Sequence, residues 1–316
     1  MTISGPANTF DDVVAGGDFS LRQLTHFVAV AEHGTISGAA ESLFMSPSAV
    51  AASISELERV LGSELLVRRR AQGVTVTPTG TQVLASARRL LADASELAYM
   101  ARGRGGDLVG PLVIGCFVTL APTVLPRLLE DFARLHPKVQ VDFVEAPQDR
   151  LQQALSAGEL DMAVMYDMNR TVPLDSIVLY EPRGYALFGE GHPLADQDTV
   201  KLSDLAREPL VLFDQAPSAS YAISAFEQHG LEPNIRHRTH TYELTRSIVA
   251  RGIGYAVLVQ RPPNKASYEG LPILEREVDP PLPICPVILA WPHGAKLSPR
   301  AQGLVELARQ QYPRDA

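Results

Sequence analysis

The chain has 316 residues, 46% of them hydrophobic and 20% charged, with two cysteines and a formal net charge of −8. This is enough chain for two or more cores, and it excludes a disulfide framework, a chain that is basic throughout, and a membrane span, since no window reaches the roughly 18 consecutive apolar residues a span needs. The charge is uneven: residues 1–20 carry −3, residues 21–105 carry nine Arg against seven acids, and the remainder carries −7. A mildly basic front on an acidic body fits a small DNA-binding domain joined to a domain with another task.

In chain order, residues 1–20 lack the basic and long apolar regions of a secretory leader. They read as a disordered extension, and a cytoplasmic location follows. Residues 21–32 (LRQLTHFVAVAE) make an amphipathic helix with Leu21, Leu24, Phe27, Val28 and Ala31 on one stripe. His26 and His33 are expected at its surface. Next, residues 35–58 (TISGAAESLFMSPSAVAASISELE) hold two short helical patterns on a shared apolar side. Thr35 is placed to cap the first and Ser46 the second, because each hydroxyl can accept from an unpaired N–H of the first turn. Pro47 falls at the first helical position, where its missing N–H costs nothing. Ala39 and Ala40 allow a close crossing. Taken alone, the stretch is either an αα-hairpin or a helix-turn-helix whose second helix enters the major groove.

The flanks favour DNA. Gly62 is a natural helix stop. Residues 65–77 read as strand, basic turn and strand, a wing in which Arg68, Arg69 and Arg70 would reach phosphates or the adjacent minor groove. After Thr77-Pro78-Thr79-Gly80 a helix runs from 81 to about 100, with Val83, Leu84, Ala87, Leu90, Leu91, Ala94 and Leu97 on one stripe. The wing is too small to cover about 30 Å of helix, so pairing with the same helix of a second copy is expected. The glycine-rich run at 102–107 is a hinge.

From Gly110 strands and helices alternate, the mark of an α/β domain with a largely parallel sheet. Strands are expected at 112–118, 139–144, 160–166, 177–181, 185–188, 210–213, 234–239, 255–259 and 287–291. Helices are expected at 121–135, 148–157, 219–229, 242–251 and 299–311. In such sheets ligands sit beyond the carboxyl ends of strands, against helix N-termini. That rule selects Thr119, Leu120, Tyr166, Phe213, Ser218, Ser220, Tyr221 and Tyr242, with Ser218 and Ser220 as possible caps. Backbone N–H groups at 119–121 and 218–221 would suit a carboxylate, and the rings would flank an aromatic body. Asp167, Asp214 and Glu243 work against an anion unless an Arg compensates. Each of these residues also has an ordinary core or capping reading. Cys116 and Cys285 sit in apolar runs and read as buried structural thiols, with redox sensing as the minor alternative. No zinc spacing, G-x-S-x-G elbow, P-loop or H-E-x-x-H is present.

The stretch from Leu21 to Gly80 resembles the winged helix-turn-helix of the LysR-type transcriptional regulators. GELDMAV at 158–164, HPL at 192–194 and ARGIGYAVL at 250–258 extend the resemblance to about Gln311. It implies a helix-turn-helix unit at 21–78, a dimerising linker helix and hinge at 79–106, and an effector domain at 107–316. The latter would be a two-lobed, Rossmann-like α/β fold similar to periplasmic solute-binding proteins, with one lobe at about 107–181 and 284–316 and the other at about 182–283. The resemblance places effector contacts at Thr119, Leu120, Ser218, Ala219, Ser220 and Ile253. It implies promoter DNA, a small-molecule effector, further copies of the chain (a dimer, usually a tetramer) and RNA polymerase as partners, with no cofactor and no membrane. One departure stands out. The family's groove face often has Gln, Ser and Arg, and those places here hold Pro47, Ala51, Ala52 and Ser53; with Ser46, Pro47, Ser48, Ala51, Ala52 and Ser55 offered to the groove, direct base reading should be sparse and phosphate contacts and DNA deformability should carry affinity. The effector leans to an aromatic or other small carboxylic acid. The rival readings are an α/β metabolic enzyme with a helical oligomerisation domain and an architectural DNA binder without effector.

Overall fold

A computed structural model describes residues 18–69, 73–102 and 107–313. The expected N-terminal extension, the wing tip with Arg70 and the centre of the hinge lie outside the described residues. The described residues form two compact units, one comprising 18–102 with the short segment 156–159 and the other comprising the rest. Among the described residues no helix is long and apolar enough to cross a membrane.

In the first unit, α1 (Leu21–His33) opens on Ser20, whose hydroxyl accepts from Gln23 N while the Gln23 side chain returns to Ser20 N, a reciprocal capping box. Gly34, at φ 64°, ends it. α2 (Ile36–Ser42) is capped by Thr35, which accepts from Gly38 N at 3.0 Å. α3 (Pro47–Leu61) is capped by Ser46, has Pro47 at its first turn, and stops at Gly62 with φ 64°. The three helices enclose Leu24, Phe27, Val30, Ala39, Ala40, Val50, Ile54 and Leu57, all essentially inaccessible to solvent. The wing follows as β1 (Leu66–Arg69) paired antiparallel with β2 (Gly73–Val76), Arg68 facing Val74 and Arg69 facing Gly73 in register. α4 (Pro78–Arg102) then starts, three residues earlier than expected, because the Thr77 hydroxyl accepts from Gly80 N at 2.8 Å and extends the first turn backwards.

The described residues of the second unit carry three sheets. The first contains β3 (Gly110–Phe117), β4 (Val139–Ala146), β5 (Met162–Tyr166), β6 (Leu174–Tyr180) and a late strand, Val287–Pro292, in spatial order β4, β3, β5, late strand, β6. Helices α5 (Ala121–Leu135) and α6 (Gln148–Ser156) connect its parallel strands. A second, four-stranded sheet has the order β11 (Ala256–Leu258), β7 (Tyr185–Gly189), β12 (Ile273–Asp279) and β8 (Thr199–Lys201), and β9 (Pro209–Phe213) and β10 (Asn234–Thr239) form a separate parallel pair, with the short α7 (Leu202–Leu205), α8 (Ser218–Glu227) and α9 (Tyr242–Ala250) around them. The late strand, β13, and α10 (Pro299–Gln311) return the chain to the first lobe.

Three expectations are corrected. The sheets are mixed, not largely parallel: β13 runs antiparallel to both β5 and β6, and β7 runs antiparallel to β11 and β12. Strands β8 and β12 and helix α7 were not foreseen. His26, expected at the surface, is 5% exposed and its Nδ1 lies 2.7 Å from the Ser53 hydroxyl, because it sits on the face of α1 that meets α3. Its polar atom is thereby satisfied inside a small core.

Candidate functional site

The first unit presents a surface of the kind that enters a groove. Ser46, Pro47, Ser48, Ala52 and Ser55 are exposed on α3 and Ala51 is half-buried, while Val50, Ile54 and Leu57 anchor the opposite side. Ser46 Oγ accepts from Ala49 N at 3.2 Å and lies 3.1 Å from Ser48 Oγ, so the start of the helix is ordered before any contact is made. The wing is tied to this helix by Glu58, whose Oε1 accepts from Leu65 N at 2.8 Å and Leu66 N at 3.1 Å. Glu58 thus ties α3 to the start of β1. The backbones of Arg68 and Arg69 lie on β1, so the sequence placed these two residues on the wing strand as found. Phe44, in the turn between α2 and α3, is 97% exposed at φ 53°.

The second unit contains a small cavity of about 10 Å3. Six residues named from sequence line it: Thr119, Tyr166, Phe213, Ser218, Tyr221 and Tyr242. Each lies at or just past the carboxyl end of a strand or in the first turn of a helix, where the chain leaves the sheet. Four residues of the wall were missed, Val257, Leu258, Val259 and Gln260. They form the end of β11 and the residues after it, so the rule that selected the other six would have found them had it been applied to this strand.

The remaining named residues lie elsewhere. Leu120 is fully buried in the core. Ala219 and Ser220 are on α8 but not in the wall, and the Ser220 hydroxyl donates to Pro217 O at 2.8 Å. Neither Ser218 nor Ser220 caps α8: Pro217 occupies the cap position and no side chain bonds there. Ile253 is 45% exposed. It precedes β11, so it stands at the opposite end of that strand from Gln260.

The cavity wall is a hydrogen-bonded frame. Gln260 Nε2 donates to Thr123 Oγ1 at 2.7 Å, and Tyr180 Oη donates to Gln260 Oε1 at 3.0 Å. Gln260 O accepts from Tyr185 Oη at 2.9 Å and from Tyr242 Oη. Thr123 and Tyr180 belong to the first sheet's lobe and Tyr185 and Tyr242 to the second's, so one residue fastens both. Tyr221 Oη donates to Pro283 O at 2.6 Å and accepts from Gly184 N at 3.0 Å. Tyr166 Oη and Thr119 Oγ1 are 3.4 Å apart, and Phe117 meets Tyr166 edge-on. Burial pushes the phenols of Tyr221 and Tyr242 up to about 12 and that of Tyr166 well above the usual range. All three are neutral hydroxyls near pH 7.

Among the described residues no charged side chain lines this cavity directly, but the buried Arg246 stands against the ring of Tyr242 in its wall. The three acids that sequence set against an anion are each compensated by an arginine: Asp167 by Arg170 at 2.6 Å, Asp214 by Arg238 at 3.1 Å and Glu243 by Arg246 at 3.2 Å. Cys116 and Cys285 are both buried, and burial raises both thiols, Cys285 to about 12. Among the described residues no cluster of His, Cys, Asp or Glu has the grouping to hold a metal ion.

A capped helix-turn-helix with a wing, followed by a two-lobed α/β unit with an internal cavity, matches two family descriptions. Residues 21–81 match the bacterial regulatory helix-turn-helix protein of the lysR family, and residues 105–313 match the LysR substrate binding domain. The chain belongs to the LysR family of transcriptional regulators. Among relatives of this LysR-type regulator, the HTH-type transcriptional regulator YvbU of Bacillus subtilis is 27% identical, covering 93% of this chain and 99% of that one. The hydrogen peroxide-inducible genes activator of Pectobacterium carotovorum is 29% identical over 92% of this chain and 96% of its own. The crystal structure of HinK, a LysR family regulator from Pseudomonas aeruginosa, is 31% identical with a TM-score of 0.62, covering 93% of this chain and 99% of that chain. The LysR-type chain is thus a DNA-binding transcriptional regulator and not an enzyme.

Proposed function

We propose that this chain is a ligand-responsive, sequence-specific regulator in which a small molecule enters the cavity between the two lobes and shifts the spacing of the DNA-binding units in an oligomer. The observation that carries this reading is Gln260, which lines the cavity and is bonded to side chains of both lobes. A ligand in contact with it acts on both lobes at once, and a binder without an effector has no use for such a frame.

DNA contact is assigned to Ser46, Pro47, Ser48, Ala51, Ala52 and Ser55 on the recognition helix and to Arg68, Arg69 and Arg70 on the wing. The effector contacts are assigned to Thr119, Tyr166, Phe213, Ser218, Tyr221, Tyr242 and Gln260. Self-association is assigned to α4, on which Leu90 and Leu97 stand 46% and 67% exposed. A dimer or tetramer in the cytoplasm, recruiting RNA polymerase at a promoter, completes the reading. The wall supplies rings for an aromatic effector. The carboxylate favoured from sequence would rest on backbone N–H groups and the wall hydroxyls, with the Arg246 guanidinium behind Tyr242 as a positive charge nearby.

The test is retardation of DNA from upstream of the chain's own gene. A salt-dependent complex is expected. Arg68→Ala with Arg69→Ala should reduce the slope of log K against log salt by about 2 if both reach phosphates. No complex, or an unchanged slope, refutes the DNA or the wing assignment respectively.

A further inference from the structure

Helices α1 and α3 end on glycines, Gly34 and Gly62, both at φ 64°. Helix α2 ends on a phenylalanine. Phe44 N donates to Glu41 O at 3.1 Å and Met45 N donates to Ala40 O at 2.9 Å. α3 closes on the same pair of bonds, Gly62 N to Arg59 O and Ser63 N to Glu58 O. Both bonds form only when the residue at the turn is left-handed, a conformation that glycine adopts without strain. In α2 that residue is Phe44, at φ 53°. A bulky side chain is rare there, because its Cβ crowds the following carbonyl. Packing does not explain the choice. Met45 turns inward against the core of the unit. Phe44 is 97% exposed, more than any other large apolar residue among the described residues.

The ring stands at the entrance to α3. Ser46, Pro47 and Ser48 come one residue later, all exposed, with Ser46 Oγ accepting from Ala49 N. In a helix-turn-helix the first residues of the second helix approach the base edges, and here they are small and uncharged. We propose that Phe44 reads DNA through an apolar contact with thymine methyl groups at the edge of the major groove. The two backbone bonds at the end of α2 fix the point from which the ring projects. The thymine methyl is the apolar group on the base edges of that groove. A phenyl ring can bury it and can pair with no donor or acceptor, so the contact favours thymine over the other bases. It adds sequence preference to a surface whose serines and wing arginines are suited to phosphates. The proposal rests on the assignment of α3 to the groove.

The experiment is retardation, by the full-length chain, of DNA from upstream of its own gene, synthesised either with thymine or with uracil, which lacks the methyl group, at every thymine position. Phe44→Gly and Phe44→Asn are compared with the unaltered chain, since both residues accept a left-handed backbone. Each variant should melt no lower than the unaltered chain. Each should bind thymine DNA about tenfold more weakly, with the salt slope unchanged because no charge is lost. Uracil DNA should bind the unaltered chain several-fold more weakly than thymine DNA, and most of that penalty should vanish in the variants. The proposal is overturned if the variants bind thymine DNA as tightly as the unaltered chain, or if the uracil penalty is the same in all three. It is also overturned if both variants melt clearly lower, which would give the ring a role in the fold. A complex indifferent to Phe44 sinks only this contact, whereas no complex with the unaltered chain sinks the assignment of α3 to DNA.

Discussion

Gly80→Ala is the sharpest test of how the wing and linker helix are joined. Two effects oppose each other. In an ordinary helix the change gains roughly 0.5–1 kcal/mol, because alanine loses less backbone freedom than glycine. Here, however, a Cβ on residue 80 would stand 2.1 Å from Leu65 O and 2.8 Å from Val76 Cγ1, where non-bonded carbon contacts are normally about 3.5 Å or more. The carbonyl cannot simply turn away, since it accepts from Thr77 N at 2.9 Å. The start of α4 must therefore move, and the Thr77 cap on Gly80 N loosens with it. Overpacking of this kind costs about 1–3 kcal/mol, and a weakened hydrogen bond adds about 1 kcal/mol. Net of the propensity gain, the helix-turn-helix unit should lose about 1–3 kcal/mol, a Tm drop of roughly 5–20 °C for a unit of this size. The assay is a thermal melt of the full-length variant followed by far-ultraviolet circular dichroism. Fluorescence of Trp291, the chain's single tryptophan, reports the other unit from β13 and serves as the internal control. An unchanged or raised helical Tm would refute the close-approach argument.

Two further outcomes follow from the interior. Burial, with Arg22 adding a smaller contribution, holds the imidazole of His26 below its usual 6.5, so the unfolded chain binds the proton more readily than the folded one. Stability from this group is therefore fully present above pH 6.5 and is lost as pH falls from there through the folded value; the helical Tm should drop between pH 7 and 5, His26→Gln should flatten that slope, and Ser53→Ala should cost about 1–2 kcal/mol by leaving Nδ1 without its partner. As for the thiols, a group held at about 12 is thiolate in only about one molecule in 10⁵ at pH 7; Cys116 and Cys285 should react with a disulfide reagent only after unfolding, and rapid oxidation of either by hydrogen peroxide in the native chain would refute the burial argument.

The sequence made the front unit legible because its signals are local. Thr35, Ser46, Pro47 and Gly62 act within one turn of where they stand, and the apolar stripes report faces that really are buried. The helices at 121–135 and 299–311 were read to the residue for the same reason. What was lost depended on distant partners. The direction of β13 is set by strands more than a hundred residues earlier. β12 reads ILEREVD, too charged to pass for a half-buried strand, yet Glu275 and Glu277 are paired with Arg261, and Glu275 also with Lys265. His26 looked like a surface residue because nothing local shows that Ser53 lies opposite. In the cavity, the strand-end rule found six residues at or just past strand ends and helix starts; Gln260 lies just past β11, a strand to which the rule was not extended, and its importance comes from four partners spread over residues 123 to 242, which no local signal shows.

The late return of β13 has a consequence for synthesis. The lobe formed by β7 to β12 is continuous in sequence, so every one of its strands is synthesised before β13. The other lobe begins first and finishes last, since β5 and β6 flank a place that only β13 fills. Until that strand arrives, both present open edges to the surroundings, which is the condition under which nascent sheets pair wrongly or recruit chaperones. A chain truncated shortly before residue 287 would contain every strand of the lobe but the one that joins them, so a frameshift or nonsense change even near the end of the gene should destroy the sensor while leaving the helix-turn-helix, complete by residue 102, able to fold.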